Sequence, residues 1–370
     1  MSKIITISRK IKKYQKQITV EGDKSLSIRW ALMASLATGK SKAFNLLNSD
    51  DVLSTLSCIK KLGIKVKKNK DFCEIYGKGL HGYKFKKNLV LNAGNSGTLG
   101  RLILGTIINS PYKIKLSGDK SLSKRDFSRI STPLKKIGVN FYPSNKKNLP
   151  FFIKGSNNLT PINYLETRGS AQCKSAIMLA ALNIQGKTTI QAKKSRDHTE
   201  ILYKFLKIPI KVKKTKNYDL IEITGGRNFS SFNYTIPSDV SSASFFVVLT
   251  LLTKDSKLLI KNININPSRI GLIKILNKMG AKIVFQNKKI HNGEHVADIL
   301  VKSIKKIKPI NCPKELNSSA IDEFLIIFLV AAKANGNSYF RDLAELDQKE
   351  SPRLNLGSKI LNMMGIKTDL

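Results

Sequence analysis

The pattern of hydrophobic and polar positions repeats five times along the chain. Each copy has a helix-start signature, an apolar run with helical spacing, a break containing glycine, a strand, and a second helix that ends near a glycine. The copies recur at roughly 70–80 residues, which is typical of a chain built from repeated supersecondary units. They cover residues 23–64, 95–139, 169–208, 238–281 and 321–366.

Each copy predicts a β-α-β-α unit with additional strands, which places the chain in the α/β (α+β) class. One such unit cannot bury both faces of its sheet, so we expect the units to assemble around shared cores. With 370 residues the chain is long enough for two domains. Five units cannot divide evenly between two domains, so one domain should contain fewer units than the other.

The charge of the chain is strongly basic, with 65 Lys and Arg against 25 Asp and Glu and a formal net charge of +40. Such a charge is compatible with nucleic-acid binding. However, only 11 of the basic residues are arginine, the residue that reads phosphates and base edges by paired hydrogen bonds. The lysines are spread along the chain, as at 65–68 and 211–214. We therefore favour a solvated lysine-rich surface, and keep nucleic-acid binding as an alternative.

Several other classes of protein and site are not indicated. The four cysteines have neither CxxC nor metal-ligand spacing, which favours reduced thiols in the cytoplasm. The N-terminus has no apolar signal core, and the longest apolar runs, at 240–252 and 324–332, are too short to cross a bilayer. The segment 291–295 contains two histidines but lacks the HExxH order, so we expect no metal site. A soluble, cytoplasmic protein is predicted.

The candidate chemistry lies at the starts of the first helices of the repeats. Unpaired backbone N–H groups and the helix dipole favour anions at a helix N-terminus. In the first copy Lys24 and Ser25 stand at this position, and Arg29 follows one turn later on the same side. These three residues can form a socket for a carboxylate or phosphate. An ordinary capped helix with surface charges is the alternative for this segment alone.

The later copies carry similar groups. In the second, Gly97 would let a ligand approach the backbone and Thr98 could cap the helix, with Arg101 one turn further on. The third begins with the short polar run at 170–172 and adds the polar segment 195–198. In the fifth, Asp322 and Glu323 precede an apolar helix, and the polar run 348–353 precedes the last helix. Together these positions predict one anion-binding site assembled from several repeats and both domains.

At these residues the sequence resembles the enolpyruvyl transferases, and within them the branch that acts on shikimate 3-phosphate. The matching stretches, in the order and spacing of that family, are GDKSLSIRWALMASLATG, NSDDVLSTL, NSGTLGRL, SGDKSLSKR, SAQCKSAIMLAAL, SRDHTE, SDVSSASFF, IDEF and QKESPRL. The resemblance implies two domains of three β-α-β-α-β-β units each, of which five units are present here. It implies crossings near Glu21/Gly22 and Ile236/Pro237. The domains would then be 22–236, and 1–21 with 237–370.

The resemblance also implies a role for each matching residue. Residues expected to bind shikimate 3-phosphate are Lys24, Ser25, Arg29, Ser170, Ala171, Gln172, Ser195, Asp322 and Lys349. Residues expected to bind phosphoenolpyruvate are Lys24, Gly97, Arg125 and Arg353. Asp322 and Glu350 would carry the proton transfers, Lys24 would assist as a catalytic cation, and the other cations would position anions.

The reaction implied is transfer of the enolpyruvyl group of phosphoenolpyruvate to the 5-hydroxyl of shikimate 3-phosphate, with release of phosphate. This step belongs to the biosynthesis of chorismate and the aromatic amino acids. The resemblance implies a monomer that uses neither metal nor organic cofactor. The expected partners are the two small anionic substrates, with no nucleic acid and no membrane.

The sequence departs from the family pattern at three places. Asp126 and Pro352 replace the usual Pro and Asp, respectively. The last β-α unit of the family, which has an Asp-His-Arg motif and a later Lys, has no counterpart before Leu370. We therefore expect this chain to bind shikimate 3-phosphate weakly through its three-unit domain and to turn over little.

Three alternatives remain open. The chain could be a catalytically impaired truncated homologue that retains the fold. It could belong to the branch that acts on UDP-N-acetylglucosamine, although Cys173 lies in a helix and does not match the reactive-loop cysteine of that branch. It could also be a nucleic-acid protein, since RNA-terminal phosphate cyclases share the repeat, but their histidine motif is not evident here.

Overall fold

The structure is a computed structural model that describes residue 8, residues 10–349 and residues 351–370. These residues form a mixed α/β protein. The strands are β1 (Gln15–Ile18), β2 (Thr38–Phe44), β3 (Lys65–Lys68), β4 (Phe72–Lys78), β5 (Val90–Asn92), β6 (Ile114–Ser117), β7 (Asn140–Tyr142), β8 (Phe151–Lys154), β9 (Asn163–Glu166), β10 (Gly186–Lys193), β11 (Ile210–Lys214), β12 (Tyr218–Gly225), β13 (Asn233–Thr235), β14 (Lys257–Asn264), β15 (Val284–His291) and β16 (Glu294–Lys302).

The α-helices connect these strands and cover one face of each sheet. They are α1 (Lys24–Leu36), α2 (Asp50–Lys61), α3 (Gly97–Thr106), α4 (Ser128–Ile137), α5 (Ala171–Leu182), α6 (His198–Phe205), α7 (Val240–Leu252), α8 (Gly271–Lys278), α9 (Asn317–Ala320), α10 (Phe324–Ala331) and α11 (Arg353–Met363). None of the helices in the described part of the chain is long and apolar enough to span a membrane.

Four of the predicted repeats build four-stranded sheets with one common topology. The strand orders are β13-β2-β4-β3, β5-β6-β8-β7, β9-β10-β12-β11 and β1-β14-β16-β15. In each sheet the first two strands are parallel and the others are antiparallel. In two of the sheets a helix makes the crossover between the parallel strands, with α3 between β5 and β6 and α5 between β9 and β10.

Two of the sheets exchange their opening strands. The first repeat takes its opening strand from β13, at the far end of the first group of repeats, whereas β1 pairs with β14 in the fourth repeat. The chain must therefore cross twice between the two groups. At the crossing, the Asp23 N–H donates to the Pro237 carbonyl at 2.8 Å, and the Asp239 N–H donates to the Glu21 carbonyl at 3.0 Å. A Cβ on Gly22 would lie 2.0 Å from the Asn45 carbonyl oxygen, so only glycine fits here.

The fifth repeat differs from its prediction. Its helices α10 and α11 form where expected, but among the described residues its strands are reduced to a single bridge between Asn311 and Tyr339. The prediction of a β-α-β-α unit with additional strands is therefore wrong for this copy. The apolar pattern of the fifth repeat favoured strands, but the described residues of this repeat form no sheet in which such strands could pair.

The hydrophobic core is divided into two clusters. The first core cluster consists of residues from Leu26 to Ile236, and the second consists of Val20 with residues from Val240 to Leu346. Helices α1, α3 and α5 are buried on nearly all sides in the first cluster. Their near-continuous apolar sequences fit this position, because a helix that is hydrophobic all round must be covered all round.

Candidate active site

Side-chain caps organise the starts of α1, α3 and α5. Asp23 accepts from the Leu26 N–H at 2.9 Å, and Ser170 accepts from the Cys173 N–H at 3.2 Å. At α3 the cap is Ser96, which accepts from the Leu99 N–H, rather than Thr98 as predicted. The Thr98 hydroxyl instead accepts from the Gln172 side-chain amide at 3.0 Å.

Arg29 is buried and connects three helices. Its guanidinium donates to the Thr199 hydroxyl at 2.9 Å, to the Ser175 hydroxyl at 3.1 Å and to the Ser25 carbonyl at 3.1 Å. Burial lowers the pKa of Arg29 to about 10, so the group remains a cation at neutral pH. The predicted anion-binding arginine therefore also holds α1 against α5 and α6.

Two arginines converge on the start of α3. A Cβ on Gly97 would lie 2.9 Å from the Nη1 atoms of both Arg101 and Arg125. Arg101 also donates to the Gln172 side-chain carbonyl at 2.8 Å, and its guanidinium lies 5.2 Å from the centre of the Phe127 ring. A glycine at position 97 thus leaves room for two guanidinium groups over the helix N-terminus, where the helix dipole also favours an anion.

Asp322 lies immediately before Glu323 and α10, and three cations surround its carboxylate. Arg196, from the segment before α6, bonds it at 2.5 Å, and Lys349 and Arg353 each approach to 3.4 Å. Arg196 belongs to the repeats of the first core cluster, whereas Asp322, Lys349 and Arg353 lie on the side of the second. These side-chain contacts go beyond those of a simple helix cap, and the residue at the cap position of α10 is Glu323.

The cations control the charge state of Asp322. Burial of the carboxylate alone would raise its pKa, but Arg196 and Lys349 outweigh that effect and hold the pKa of Asp322 well below its ordinary value. The adjacent Glu323 has the opposite environment: burial raises its pKa, and its carboxylate accepts from the Ser241 hydroxyl. Neighbouring carboxyl groups with pKa values moved in opposite directions are typical of sites that transfer protons.

Other predicted residues lie around these contacts. The Lys24 side chain is exposed, and its backbone N–H donates to Asp239 at 3.2 Å. Ala171 is the first residue of α5. The Ser195 hydroxyl is buried and has no hydrogen-bond partner among the described residues. Glu350 lies outside the described residues, so its predicted role in proton transfer has no structural description.

Helix α5 brings the predicted groups together. Through Gln172 it contacts Arg101 at the start of α3, and one turn later through Ser175 it contacts Arg29 on α1. Substrate contacts and catalytic roles of these residues remain predictions.

Arg196 forms the shortest ion pair of Asp322, although the sequence indicates no role for it. Its only signal was its place directly after Ser195 in a polar segment before a helix.

Two other motifs have structural roles. Cys173 is buried, its thiol donates to the Arg129 carbonyl at 3.0 Å, and burial raises its pKa to about 12. It is therefore a packed thiol rather than a reactive one. In the segment 291–295, Glu294 is buried and bonds the Nδ1 atom of His198 at 2.7 Å. No group of three or more potential metal ligands occurs among the residues that the structure describes.

Comparison with known proteins first defines the class. The enolpyruvyl transferase NikO from Streptomyces tendae superposes with a TM-score of 0.67 at 13% identity, covering 88% of this chain and 74% of that chain, which indicates a shared fold. The EPSP synthase from Acinetobacter baumannii superposes with a TM-score of 0.85 at 36% identity, covering 96% of this chain and 80% of that chain.

Sequence comparison then defines the family. The family model of EPSP synthase (3-phosphoshikimate 1-carboxyvinyltransferase) matches residues 8–370. A 3-phosphoshikimate 1-carboxyvinyltransferase from Ruthia magnifica is 40% identical over 354 residues, which is 95% of this chain and 80% of that protein. One from Petrotoga mobilis is 40% identical over 354 residues, covering 95% and 81%. The chain belongs to the EPSP synthase family.

Proposed function

We propose that this protein transfers the enolpyruvyl group of phosphoenolpyruvate to the 5-hydroxyl of shikimate 3-phosphate. The products are 5-enolpyruvylshikimate 3-phosphate and inorganic phosphate. The observation that carries the proposal is the Asp322 carboxylate, which is surrounded by Arg196 from one group of repeats and by Lys349 and Arg353 from the other. Membership of the EPSP synthase family supports the choice of substrates.

The chemistry needs a base, an acid and cations. In the addition step, the 5-hydroxyl oxygen forms a bond to the central carbon of phosphoenolpyruvate, loses its proton to a base, and the methylene carbon gains a proton from an acid. In the elimination step, the methyl group formed by the addition loses a proton, the C=C double bond forms again, and the C–O bond to phosphate breaks. We propose that Asp322 is the base that accepts the proton of the 5-hydroxyl. A phosphate that draws Arg196 and Lys349 away from Asp322 would raise its pKa and strengthen it as a base.

The two anionic substrates need separate cationic sites. Arg29, Ser170, Gln172 and Ser195 lie around the starts of α5 and α6, where we place shikimate 3-phosphate together with Lys24, Ser25, Ala171 and Lys349. We place phosphoenolpyruvate at the start of α3, where Arg125 approaches Gly97, with Lys24 and Arg353 completing its surroundings. These cations stabilise charge on phosphate and carboxylate groups.

Calorimetry with shikimate 3-phosphate, followed by a phosphate-release assay with both substrates, tests this function. We expect binding of shikimate 3-phosphate, and phosphate release only when both substrates are present. UDP-N-acetylglucosamine should neither bind nor react. Absence of shikimate 3-phosphate binding, together with tight RNA binding that weakens steeply with salt, would instead support the nucleic-acid alternative.

Replacing Arg196 should shift the pH dependence of the reaction. A base is active when ionised, so activity falls as the pH drops through its pKa. Because Arg196 is the main cation that lowers the pKa of Asp322, Arg196→Gln should move the acid limb of kcat/KM upward by about 1–3 pH units. The control is Arg227→Gln, an exposed arginine after β12. Because the substrates titrate identically in both assays, a difference between the two variants reports on the enzyme. Identical acid limbs in the two variants would contradict the assignment of Asp322 as the base.

We also propose that the two core clusters correspond to the domains predicted at 22–236 and at 1–21 with 237–370. The antiparallel contact of Gly22 with Ser238 at the crossing supports this division. A monomer in the cytoplasm that binds no nucleic acid is the form we expect to act on the two substrates.

A further inference from the structure

Residues 264–269, the end of β14 and the loop that leads from it to α8, lie on the side of the second core cluster, and the proposed reaction does not use them. Four of their side chains are polar, and Asn264, Asn266 and Arg269 are almost fully buried. Buried polar groups are costly unless they are paired. The partners of this loop therefore indicate its role.

Arg269 bonds both aspartates at the chain crossing. Its guanidinium donates to Asp23 at 2.9 Å and to Asp239 at 3.2 Å, and also to the Ser241 hydroxyl at 2.9 Å. Asp23 caps α1, directly before Lys24 and Ser25. Burial would raise the pKa of Asp23, but the Arg269 guanidinium outweighs it and lowers that pKa. Arg269 therefore fixes the start of α1 by an ion pair from the opposite side of the crossing.

Asn266 and Ser268 bond the start of a second helix. The Asn266 side-chain amide donates to Asp197 at 2.9 Å and to Glu294 at 3.3 Å, and the Ser268 hydroxyl donates to Asp197 at 3.3 Å. Glu294 in turn bonds the buried His198. The loop therefore contacts Asp197 directly and His198 through Glu294, and these two residues directly follow Ser195 and Arg196.

The loop thus holds two anion-binding segments that are far apart in sequence. We propose that Asn266 and Arg269 are positioning residues that keep Lys24–Ser25 and Ser195–Arg196 in register with Asp322. Neither residue needs to touch a substrate for this role. A displacement of a site residue by 1 Å can lower the reaction rate about 100-fold. Residues that hold the site residues in place can therefore affect the site without touching a substrate. The part of this inference that concerns the binding of shikimate 3-phosphate rests on the proposed function.

Three variants test the proposal. Asn266→Ala removes the contacts to Asp197 and Glu294. Arg269→Lys keeps the charge but removes the forked contact, and it is preferred to Arg269→Gln, which would leave Asp23 and Asp239 together without a cation. The matched control is Lys261→Gln, which breaks an ion pair with Asp298 inside the same sheet, between β14 and β16.

The first measurement is hydrogen exchange by mass spectrometry on the full chain without substrate. We expect Asn266→Ala to raise exchange at 195–202 and Arg269→Lys to raise it at 22–30. The segment 118–125 should not change, because Asp119 fixes it through Leu122 and Asn95, with no contact to the loop. Unchanged or uniformly raised exchange would overturn the proposal.

The second measurement is calorimetry with shikimate 3-phosphate. We expect both variants to raise Kd by about 10- to 100-fold and Lys261→Gln to leave it near the wild-type value. If exchange rises in the two segments but Kd does not, the loop is only structural and the positioning role is wrong. If the wild type itself fails to bind shikimate 3-phosphate, the proposed function fails, and the exchange data still decide whether the loop holds the two segments.

Discussion

We expect Asp322→Asn to lower kcat by roughly 10²–10⁴-fold without weakening the binding of shikimate 3-phosphate. The amide keeps the shape of the carboxylate but cannot take a proton from the 5-hydroxyl. It also removes a negative charge from among Arg196, Lys349 and Arg353. An anionic ligand then meets more uncompensated positive charge, so its Kd should stay the same or fall.

The experiment is decisive because kcat should fall whereas the affinity for shikimate 3-phosphate should be kept or increased. Phosphate release gives kcat, and calorimetry gives the Kd of shikimate 3-phosphate. Glu74→Gln serves as the control, because Glu74 is a carboxylate on β4 that pairs with Lys40 on β2, and none of the predicted site residues lies on these strands. Equal losses in kcat and in affinity would make Asp322 a ligand contact rather than a base.

The starts of the helices could be predicted from the sequence because their signals are local. Asp23, Ser170 and Asp239 are short polar residues directly before apolar runs, and each caps the helix expected there. Which of Ser96 and Thr98 caps α3 could not be predicted from the local sequence. Either residue could cap α3, and the contact of Thr98 with Gln172, 74 positions away, leaves that role to Ser96.

The ion pairs of the site could not be predicted in the same way. Arg196 and Asp322 are 126 positions apart, and nothing in either segment specifies the other. Likewise, the loop 264–269 has the composition of an ordinary turn, and its function depends on the strand exchange that brings Asp23 and Asp197 to it. Residues that act across the crossing become visible only when the fold is known.

The second large prediction concerns an apolar face beside the second core cluster. Helices α7, α10 and α11 expose large hydrophobic side chains, whereas α1, α3 and α5, the counterparts of α7 and α10 in the first three repeats, bury theirs almost completely. The exposed residues are Phe245, Phe246, Leu249, Leu252, Leu325, Leu329, Leu356, Ile360, Met363 and Met364. An exposed apolar face of this kind favours association with other apolar surfaces.

We expect this face to bind an apolar dye and to promote self-association of the protein, because exposed apolar area favours contact with other apolar surfaces. Dye fluorescence and light scattering measure the two effects.

A double variant tests the role of this face. Phe245→Glu with Ile360→Glu makes the face more polar without adding any cation to the site. It should strongly reduce both dye binding and self-association while leaving phosphate release unchanged, because neither residue lies among the groups assigned to the substrates. Dye binding and self-association equal to those of the wild type would show that the apolar contacts are made elsewhere on the protein.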